Sequence, residues 1–226
     1  MNYRYLAVVL AAGCVTASPS VAGEFSGKVG LASQYLGKGL GKSDEEPALL
    51  GSVRYTADSG LYADAFISQA ASSRGADAEL ILATGFEAEA GGFEFDSQLM
   101  YREMLGETNG VDSGYFELQG DASRKFGKIF SARLRVNYSP DTYGYGDEAW
   151  WVEAQGGLKA GEAGQITAAY AVRRIEGGAD YDAWNIGYRH KFTKAFGGDL
   201  RWYDTDAHSL GERYEGRLVA ALTYSF

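Results

Sequence analysis

The sequence predicts an all-β protein, a transmembrane up-and-down antiparallel β-barrel of twelve strands with short turns at one end and longer loops at the other. Three observations support this prediction. Segments of about ten residues alternate apolar and polar side chains, which is the period of a strand with two different faces. The connections between these segments alternate between long and short. No segment after the N-terminus contains the ~18 apolar residues of a transmembrane helix, and a closed barrel is the other backbone arrangement that a bilayer permits.

The N-terminal residues 1–22 have the pattern of a cleaved signal peptide. Arg4 provides the positive charge, an apolar run follows, and Ala22 ends a small-residue cleavage motif. Cys14 lies in a run that resembles a lipoprotein cleavage box, so lipidation at Cys14 is the alternative. We favour cleavage after Ala22, since an integral barrel needs no lipid anchor, and we expect an outer-membrane barrel over residues 23–226.

The composition excludes several classes of site. Residues 23–226 contain no cysteine, which excludes a disulfide framework, a thiolate metal site and a cysteine nucleophile. The chain has 31 Gly and 16 Tyr but 3 Pro, a balance that favours strands joined by tight turns. Its net charge of −9 argues against a nucleic-acid partner.

Twelve alternating segments follow one another along the chain. The first runs from Phe25 to Tyr35, and the last runs from Arg213 to Phe226. The ten segments between them fall near 47–57, 61–70, 78–89, 93–104, 113–124, 128–139, 148–160, 164–175, 180–192 and 197–206. Transmembrane barrels have short periplasmic turns and longer extracellular loops. We therefore expect all the long connections, beginning with Gly37 to Glu46, on the extracellular side.

Aromatic side chains on the apolar face are expected at the two membrane–water interfaces, because amphipathic rings prefer the headgroup level. The predicted interface residues are Tyr35, Tyr55, Tyr101, Tyr138, Tyr170, Trp184, Trp202 and Tyr224. The alternative, an aromatic core inside a soluble sandwich, does not account for the alternation of long and short connections.

The polar face of the strands separates into an acidic part and a basic part. The predicted acidic pore-lining residues are Asp64, Glu79, Glu87, Glu89, Glu94, Asp96, Glu117 and Asp121. The predicted basic pore-lining residues are Arg133, Arg135, Arg173, Arg189, Lys191, Arg201, Arg213 and Arg217. Two interpretations are open: ion pairs that close a narrow lumen, or a water-filled channel with a transverse field. We favour the channel, because charges held in water cost little free energy.

Four motifs occur together in the first third of the chain. They are the strand Val29 to Tyr35, the run Gly39 to Ser43, the pair Pro47-Ala48 and the turn Ser59 to Tyr62. In this combination they resemble the TorF family of porins, which has Arg-Gly where this chain has Lys38-Gly39. The resemblance implies an outer-membrane β-barrel and a porin function.

Three functions follow as hypotheses. The first is a passive channel for small hydrophilic solutes, embedded in outer-membrane lipids and working without catalysis, cofactor or metal. The second is a closed structural or adhesion barrel that acts through its external loops. The third is a lipid hydrolase that uses Ser209 with His208 and Glu212, which we disfavour because such a pair in a loop is usually incidental. Tyr224 and Phe226 resemble the terminal signal that the barrel-assembly machinery recognises.

Overall fold

Twelve strands close into one antiparallel barrel in a computed structural model that describes residues 23–72, 75–107, 113–142 and 147–226. The strands are β1 (Gly23–Ala32), β2 (Leu36–Gly37), β3 (Leu40–Gly41), β4 (Ala48–Ala57), β5 (Leu61–Gln69), β6 (Ala78–Ala90), β7 (Phe93–Leu105), β8 (Gly114–Phe126), β9 (Phe130–Ser139), β10 (Ala149–Ala160), β11 (Gly164–Ile175), β12 (Tyr181–Lys191), β13 (Phe196–Thr205) and β14 (Arg217–Ser225). All except β2 and β3 belong to the barrel, and those two pair with each other. The prediction of a closed twelve-stranded antiparallel barrel is confirmed. The predicted signal peptide and Cys14 lie outside the described residues.

The strands of the barrel show different chemistry on their two faces. Leu99 of β7 and Leu118 of β8 are register partners on the outer face, where their side chains are 43% and 52% exposed. The inner face of the same strands carries Met100 and Glu117, which are also register partners and are both buried. Large exposed apolar surface of this kind fits an apolar surrounding medium better than water.

The barrel closes between its first and last strands. The Gly27 N–H donates to the Phe226 carbonyl at 2.8 Å, and the Phe226 N–H donates back to the Gly27 carbonyl at 3.0 Å. A Cβ atom on residue 27 would lie 2.5 Å from Cζ of the Phe226 ring. The seam therefore needs a glycine at position 27, because any side chain would displace the C-terminal ring.

Short turns join the strands at one end, the short-turn end, and longer connections join them at the other, the long-loop end. Among the residues that the structure describes, no helix is long and apolar enough to cross a membrane. Two single 3-10 turns, His208–Leu210 and Glu212–Tyr214, lie in the last long connection.

The last strand begins later than the sequence predicts. Residues 212–214 form a 3-10 turn, in which Tyr214 N–H bonds to Gly211 O at 3.0 Å and Glu215 N–H bonds to Glu212 O at 3.1 Å. These local bonds replace the strand ladder until Arg217. The prediction that Arg213 lies on a barrel strand is therefore wrong, although its side chain lines the lumen near the long-loop end.

The first strand ends earlier than the sequence predicts. The Ser33 N–H still bonds to the Ala220 carbonyl at 2.8 Å, but the next residues leave the wall and turn into the barrel. Tyr35 is consequently only 9% exposed, and its ring packs 5.8 Å from the Phe66 ring, centroid to centroid. The prediction of Tyr35 on the outer face is wrong, because Tyr35 belongs to the segment that enters the lumen.

Candidate functional site

Residues 35–43 form a hairpin inside the barrel, called the inward hairpin below. Its two short strands pair in the register Leu36 with Gly41 and Gly37 with Leu40. The two turn residues, Lys38 and Gly39, both have positive φ, 52° and 81°. Positive φ at both central positions is the geometry of the tight turns that suit two-residue hairpins. The hairpin is closed at its base by the Lys42 N–H, which donates to the Tyr35 carbonyl at 2.8 Å.

Two lysines of the inward hairpin bind two carboxylates of the wall. Lys42 Nζ lies 2.7 Å and 2.8 Å from the two carboxylate oxygens of Glu79 on β6. Lys38 Nζ donates to Glu117 Oε2 on β8. The Tyr181 hydroxyl on β12 donates to the Lys38 carbonyl at 2.9 Å. These contacts attach the hairpin to both sides of the lumen.

Glu79 and Glu117 are among the most buried residues of the described chain, at 1% and 0% exposure. Arg102 on β7 lies between them, with Nη1 3.0 Å from Glu79 Oε1 and Nε 3.4 Å from Glu117 Oε1. The Tyr35 hydroxyl adds a hydrogen bond of 2.7 Å to Glu79. Buried carboxylates without such partners would carry a desolvation cost of several kcal/mol, on the order of that known for buried ions.

Burial also shifts the pKa of the two hairpin lysines. It lowers the pKa of Lys38 to about 7 and also lowers the pKa of Lys42, while the facing carboxylates oppose both shifts. The charged state of each ammonium group therefore depends on the carboxylate that it contacts. Moving the hairpin would separate both pairs at once.

The inward hairpin divides the lumen into two chambers. The inner chamber has a volume of 350 Å³ and is lined by Arg133, Arg135 and Arg201, which come from the middle of β9 and β13. The outer chamber has a volume of 340 Å³ and is lined by Met104 and Arg173, which lie close to the long-loop end of β7 and β11. Leu36 and Lys38 of the hairpin line both chambers.

The basic residues of the inner chamber pair with carboxylates on the same strand or on an adjacent one. Arg135 Nε donates to Asp121 Oδ1 at 2.7 Å, and Arg133 donates to Glu153. Asp199 accepts from both Arg189 (3.2 Å) and Arg201 (3.1 Å). Arg201 is buried and also donates to Asn185 Oδ1 at 2.7 Å and to Thr167 Oγ1 at 2.8 Å, which joins β11, β12 and β13.

Three of the acidic residues nearer the short-turn end, Asp64, Glu87 and Glu94, have cationic partners. Arg54 on β4 contacts Asp64 at 3.1 Å and Glu87 at 2.8 Å. Lys125 Nζ lies 2.7 Å from Glu94 Oε1, and Asp96 accepts a hydrogen bond of 2.6 Å from the Tyr62 hydroxyl. Glu89 is exposed, and its register partner is Glu94. The predicted acidic residues occupy the adjacent strands β5 to β8, but their partners come from neighbouring strands and the hairpin rather than from across the lumen.

The remaining predicted basic residues differ from one another. Lys191 is exposed at the end of β12 that meets a short turn. Arg213 lies in the last long connection and donates to the Ala71 carbonyl at 2.7 Å. Arg217 is buried and donates to Gln34 Oε1 and to the Glu215 carbonyl, both at 3.0 Å. Arg173 is buried, and its Nη1 atom has no hydrogen-bond partner among the described residues.

Apart from Tyr35, the predicted interface aromatics lie on the outer face of the barrel. Tyr170, Trp184, Trp202 and Tyr224 are all more than a third exposed. The other three pack on aromatic neighbours at centroid distances of 4.5–5.2 Å: Tyr55 on Phe25, Tyr101 on Phe116 and Tyr138 on Trp150.

The histidine of the hydrolase hypothesis, His208, contacts Asp204 and not Ser209. Its Nε2 atom lies 2.7 Å from Asp204 Oδ1.

The inward hairpin is the part of the site that sequence reasoning missed. Residues 37–41 were expected in an extracellular loop. One local signal could have revealed a hairpin: in residues 36–41 the pair Lys38-Gly39 stands between two Leu-Gly pairs. Nothing local predicts that it folds inward, because its partner Glu117 is 79 residues away.

Solved porin structures share this fold. The KdgM porin aligns with a TM-score of 0.61 at 10% identity, covering 89% of this chain and 99% of that chain. The NanC porin aligns with a TM-score of 0.58 at 9% identity, covering 90% and 99%. The COG4313 outer membrane channel from Pseudomonas putida F1 aligns with a TM-score of 0.54 at 12% identity, covering 94% and 97%. At these identities the likeness shows the fold alone.

Sequence comparison adds the family. No curated protein sequence matches this chain. The resemblance to the TorF family stays a prediction. A family model described as "Bacterial protein of unknown function (Gcw_chp)" matches residues 16–222. The chain therefore belongs to the Gcw_chp family of bacterial proteins.

Proposed function

We propose that this protein is an outer-membrane channel for the passive diffusion of small hydrophilic solutes, with the inward hairpin as its constriction. The observation that supports the proposal is the polar lumen, in which a chamber of 350 Å³ and a chamber of 340 Å³ lie on the two sides of the hairpin. Such volumes suit small hydrophilic molecules. The porin fold of the similar structures agrees with this proposal.

The proposed channel has a defined orientation in the membrane and two kinds of partner. The long-loop end faces the exterior and the short-turn end faces the periplasm, as in other transmembrane barrels. Outer-membrane lipids surround the exposed apolar outer face, and export begins with the signal peptide of residues 1–22. The barrel-assembly machinery recognises the C-terminal strand through Tyr224 and Phe226, whose side chains are 49% and 64% exposed.

The inward hairpin is suited to a movable constriction because side-chain contacts hold it. Beyond the base of the hairpin, the main attachments are Lys42 to Glu79, Lys38 to Glu117, and Tyr181 to the Lys38 carbonyl. The pair of β2 and β3 forms no ladder with a barrel strand. It can therefore shift without breaking the twelve-stranded wall.

A closed structural or adhesion barrel is the second candidate. The same contacts favour it, because ion pairs on the buried carboxylates Glu79 and Glu117 would fix a permanent plug. A lipid hydrolase has less support: no hydrogen bond joins His208 to Ser209 in the described chain, and His208 contacts Asp204 instead. We propose no catalytic role and no cofactor.

Planar-bilayer recordings distinguish the two candidates. The matched variant replaces residues 36–41 by two glycines, which preserves the wall because the Lys42 N–H already bonds to the Tyr35 carbonyl. We expect the native protein to conduct and the shortened variant to conduct more. A silent native protein with a conducting variant would establish the plug, and silence of both proteins after repeated insertion would refute the channel.

A further inference from the structure

The outer chamber carries an unbalanced positive charge. Its described lining includes five cationic residues and a single carboxylate, Glu79. The cationic residues are Lys38, Lys42, Arg102, Arg173 and Arg213. A partly enclosed space with this balance attracts anions, because low-dielectric walls strengthen the field inside it.

Arg173 is the cationic residue of this lining whose guanidinium has no hydrogen-bond partner in the described chain. It is only 6% exposed, and its Nη1 atom is buried without a hydrogen bond. Arg201 and Arg217 are buried to the same degree, at 6% and 7% exposure. Each of these two makes at least three hydrogen bonds, whereas none is formed by the Arg173 guanidinium within the described chain. A buried guanidinium whose Nη1 group is unused carries a desolvation cost, which a bound anion would offset.

The neighbouring carboxylates are already occupied. Glu79 accepts from Lys42, Arg102 and the Tyr35 hydroxyl. Glu117 accepts from Lys38, from the Asn137 amide at 2.9 Å and from the Ser139 hydroxyl at 3.4 Å. Each of these two carboxylates therefore already has a lysine partner, and among the described residues neither accepts a hydrogen bond from Arg173.

The rest of the chamber offers contacts for an organic body. The rings of Tyr115, Tyr181 and Tyr214 line it, and the Tyr181 and Tyr214 rings meet edge to face at a centroid distance of 5.4 Å. Met104 and Ile175 add apolar surface. Aromatic rings and a few aliphatic side chains around a cationic group suit a carbon skeleton that carries one negative charge.

We propose that the outer chamber binds a small organic carboxylate, whose carboxylate group accepts hydrogen bonds from the Arg173 guanidinium. The planar fork of arginine matches a carboxylate in bidentate geometry. This inference rests on the proposed function, since it names the class of solute that the channel admits. It makes the chamber above the inward hairpin a selective entry site.

Equilibrium binding tests this inference without relying on conduction. The barrel, folded in detergent, is titrated at low ionic strength by calorimetry with glucuronate, with glucose and with inorganic phosphate. Glucuronate and glucose share a ring and differ in the carboxylate. We expect glucuronate to bind more tightly than either of the other two probes. Equal binding of glucose would refute recognition of the carboxylate, and equal binding of phosphate would refute recognition of an organic body.

Two neighbouring arginines provide a matched pair of variants. Arg173→Gln is expected to weaken glucuronate binding at least about tenfold, the usual scale for losing a hydrogen bond to a charged group. Arg174→Gln changes the next residue, whose side chain lies on the outer face of β11 and contacts Asp182 of β12, and this variant should bind glucuronate as the native protein does. Native affinity in Arg173→Gln would overturn the proposal.

The thermal stability of the empty barrel separates binding from a structural role. Removing a buried charge that has no partner should leave the melting temperature of Arg173→Gln unchanged or higher than that of the native protein. A clearly lower melting temperature, or failure to fold, would show that Arg173 has a structural partner and would overturn the proposal. Absent conduction together with specific glucuronate binding would instead refute the channel and leave the binding site standing.

Discussion

Lys42 Nζ lies 2.7 Å and 2.8 Å from the two carboxylate oxygens of Glu79, so a residue of the inward hairpin neutralises a residue of the barrel wall. Glu79 is 1% exposed and sits on β6, at the long-loop end. The charge that a solute meets at this level therefore depends on where the hairpin lies. A barrel with the hairpin displaced would present Glu79 and Lys42 separately.

Lys42→Met should loosen the inward hairpin. The variant keeps an unbranched side chain of similar size but removes the ammonium group, and Glu79 keeps Arg102 and Tyr35 as partners. Breaking a partly buried pair of this kind costs on the order of 1–3 kcal/mol. We expect a higher mean conductance or longer open periods in single-channel recordings.

The matched control is Lys159→Met. Lys159 is an exposed lysine of β10 near the short-turn end, away from the hairpin. Lys159→Met also removes one positive charge, so any general effect of charge removal on ion flow appears in both variants. Identical conductance in the two variants would show that the Lys42–Glu79 contact does not hold the constriction.

Tyr181→Phe should loosen the tip of the inward hairpin without changing any charge. The variant loses the 2.9 Å hydrogen bond from the Tyr181 hydroxyl to the Lys38 carbonyl. One neutral hydrogen bond is worth about 0.5–1.5 kcal/mol, which corresponds to amide exchange between about twofold and tenfold faster. Hydrogen exchange measured over residues 36–41 checks this directly. Tyr203→Phe, which removes a hydroxyl elsewhere on the inner face, should leave that exchange unchanged.

The strands were predictable from sequence because their side chains obey a local rule. In β7 and β8, apolar residues such as Leu99 and Leu118 alternate with inward polar ones, and each side chain reports its own face. The ends of the strands depend on contacts with distant residues. Alternation continues through Gln34 and Tyr35, yet the chain leaves the wall after Ser33 because the hairpin finds partners inside.

The contacts between the inward hairpin and the wall were only partly predictable, because the residues that meet there are distant in sequence. Inward carboxylates could be named one by one, including Glu79 and Glu117, from the parity of their strands. Their counter-ions Lys42 and Lys38 lie 37 and 79 residues away, in a segment with no alternation of its own. Parity gives the face of a strand residue, but it gives no position for a loop that folds back into the lumen.

Arg201→Met should destabilise the barrel far more than Arg189→Met. Both arginines contact Asp199, but the Arg201 side chain is 6% exposed and the Arg189 side chain is 59% exposed. Arg201 also loses its hydrogen bonds to Asn185 and Thr167. We expect a decrease in unfolding free energy of about 2–4 kcal/mol for Arg201→Met and about 0–1 kcal/mol for Arg189→Met.

Denaturant unfolding of the two variants in the same detergent measures this difference. Arg189→Met serves as the control, because it removes a cation from the same carboxylate. Losses of equal size would mean that Asp199 alone accounts for the effect, and that the bonds from Arg201 to β11 and β12 contribute nothing measurable.

Gly27→Ala should weaken the closure of the barrel. The new Cβ would lie 2.5 Å from Cζ of Phe226, so the C-terminal ring must move away from the seam. Overpacking of this kind costs about 1–3 kcal/mol. Gly51→Ala on the adjacent strand is the matched control, because the nearest atom to its Cβ is Ile67 Cγ2 at 3.8 Å. Unfolding free energies should fall for Gly27→Ala and stay within about 0.5 kcal/mol for Gly51→Ala.

If the ring of Phe226 causes this loss of stability, removing the ring should reduce the loss. In a Phe226→Ala background, Gly27→Ala should therefore lose less stability than it does in the native protein, with a coupling energy on the order of 0.5–3 kcal/mol. Additive losses would instead place the cost in the Ser52 carbonyl, the other group close to that Cβ, at 3.1 Å. The double-mutant cycle thus decides whether the C-terminal aromatic ring itself fits over Gly27 to close β1 against β14.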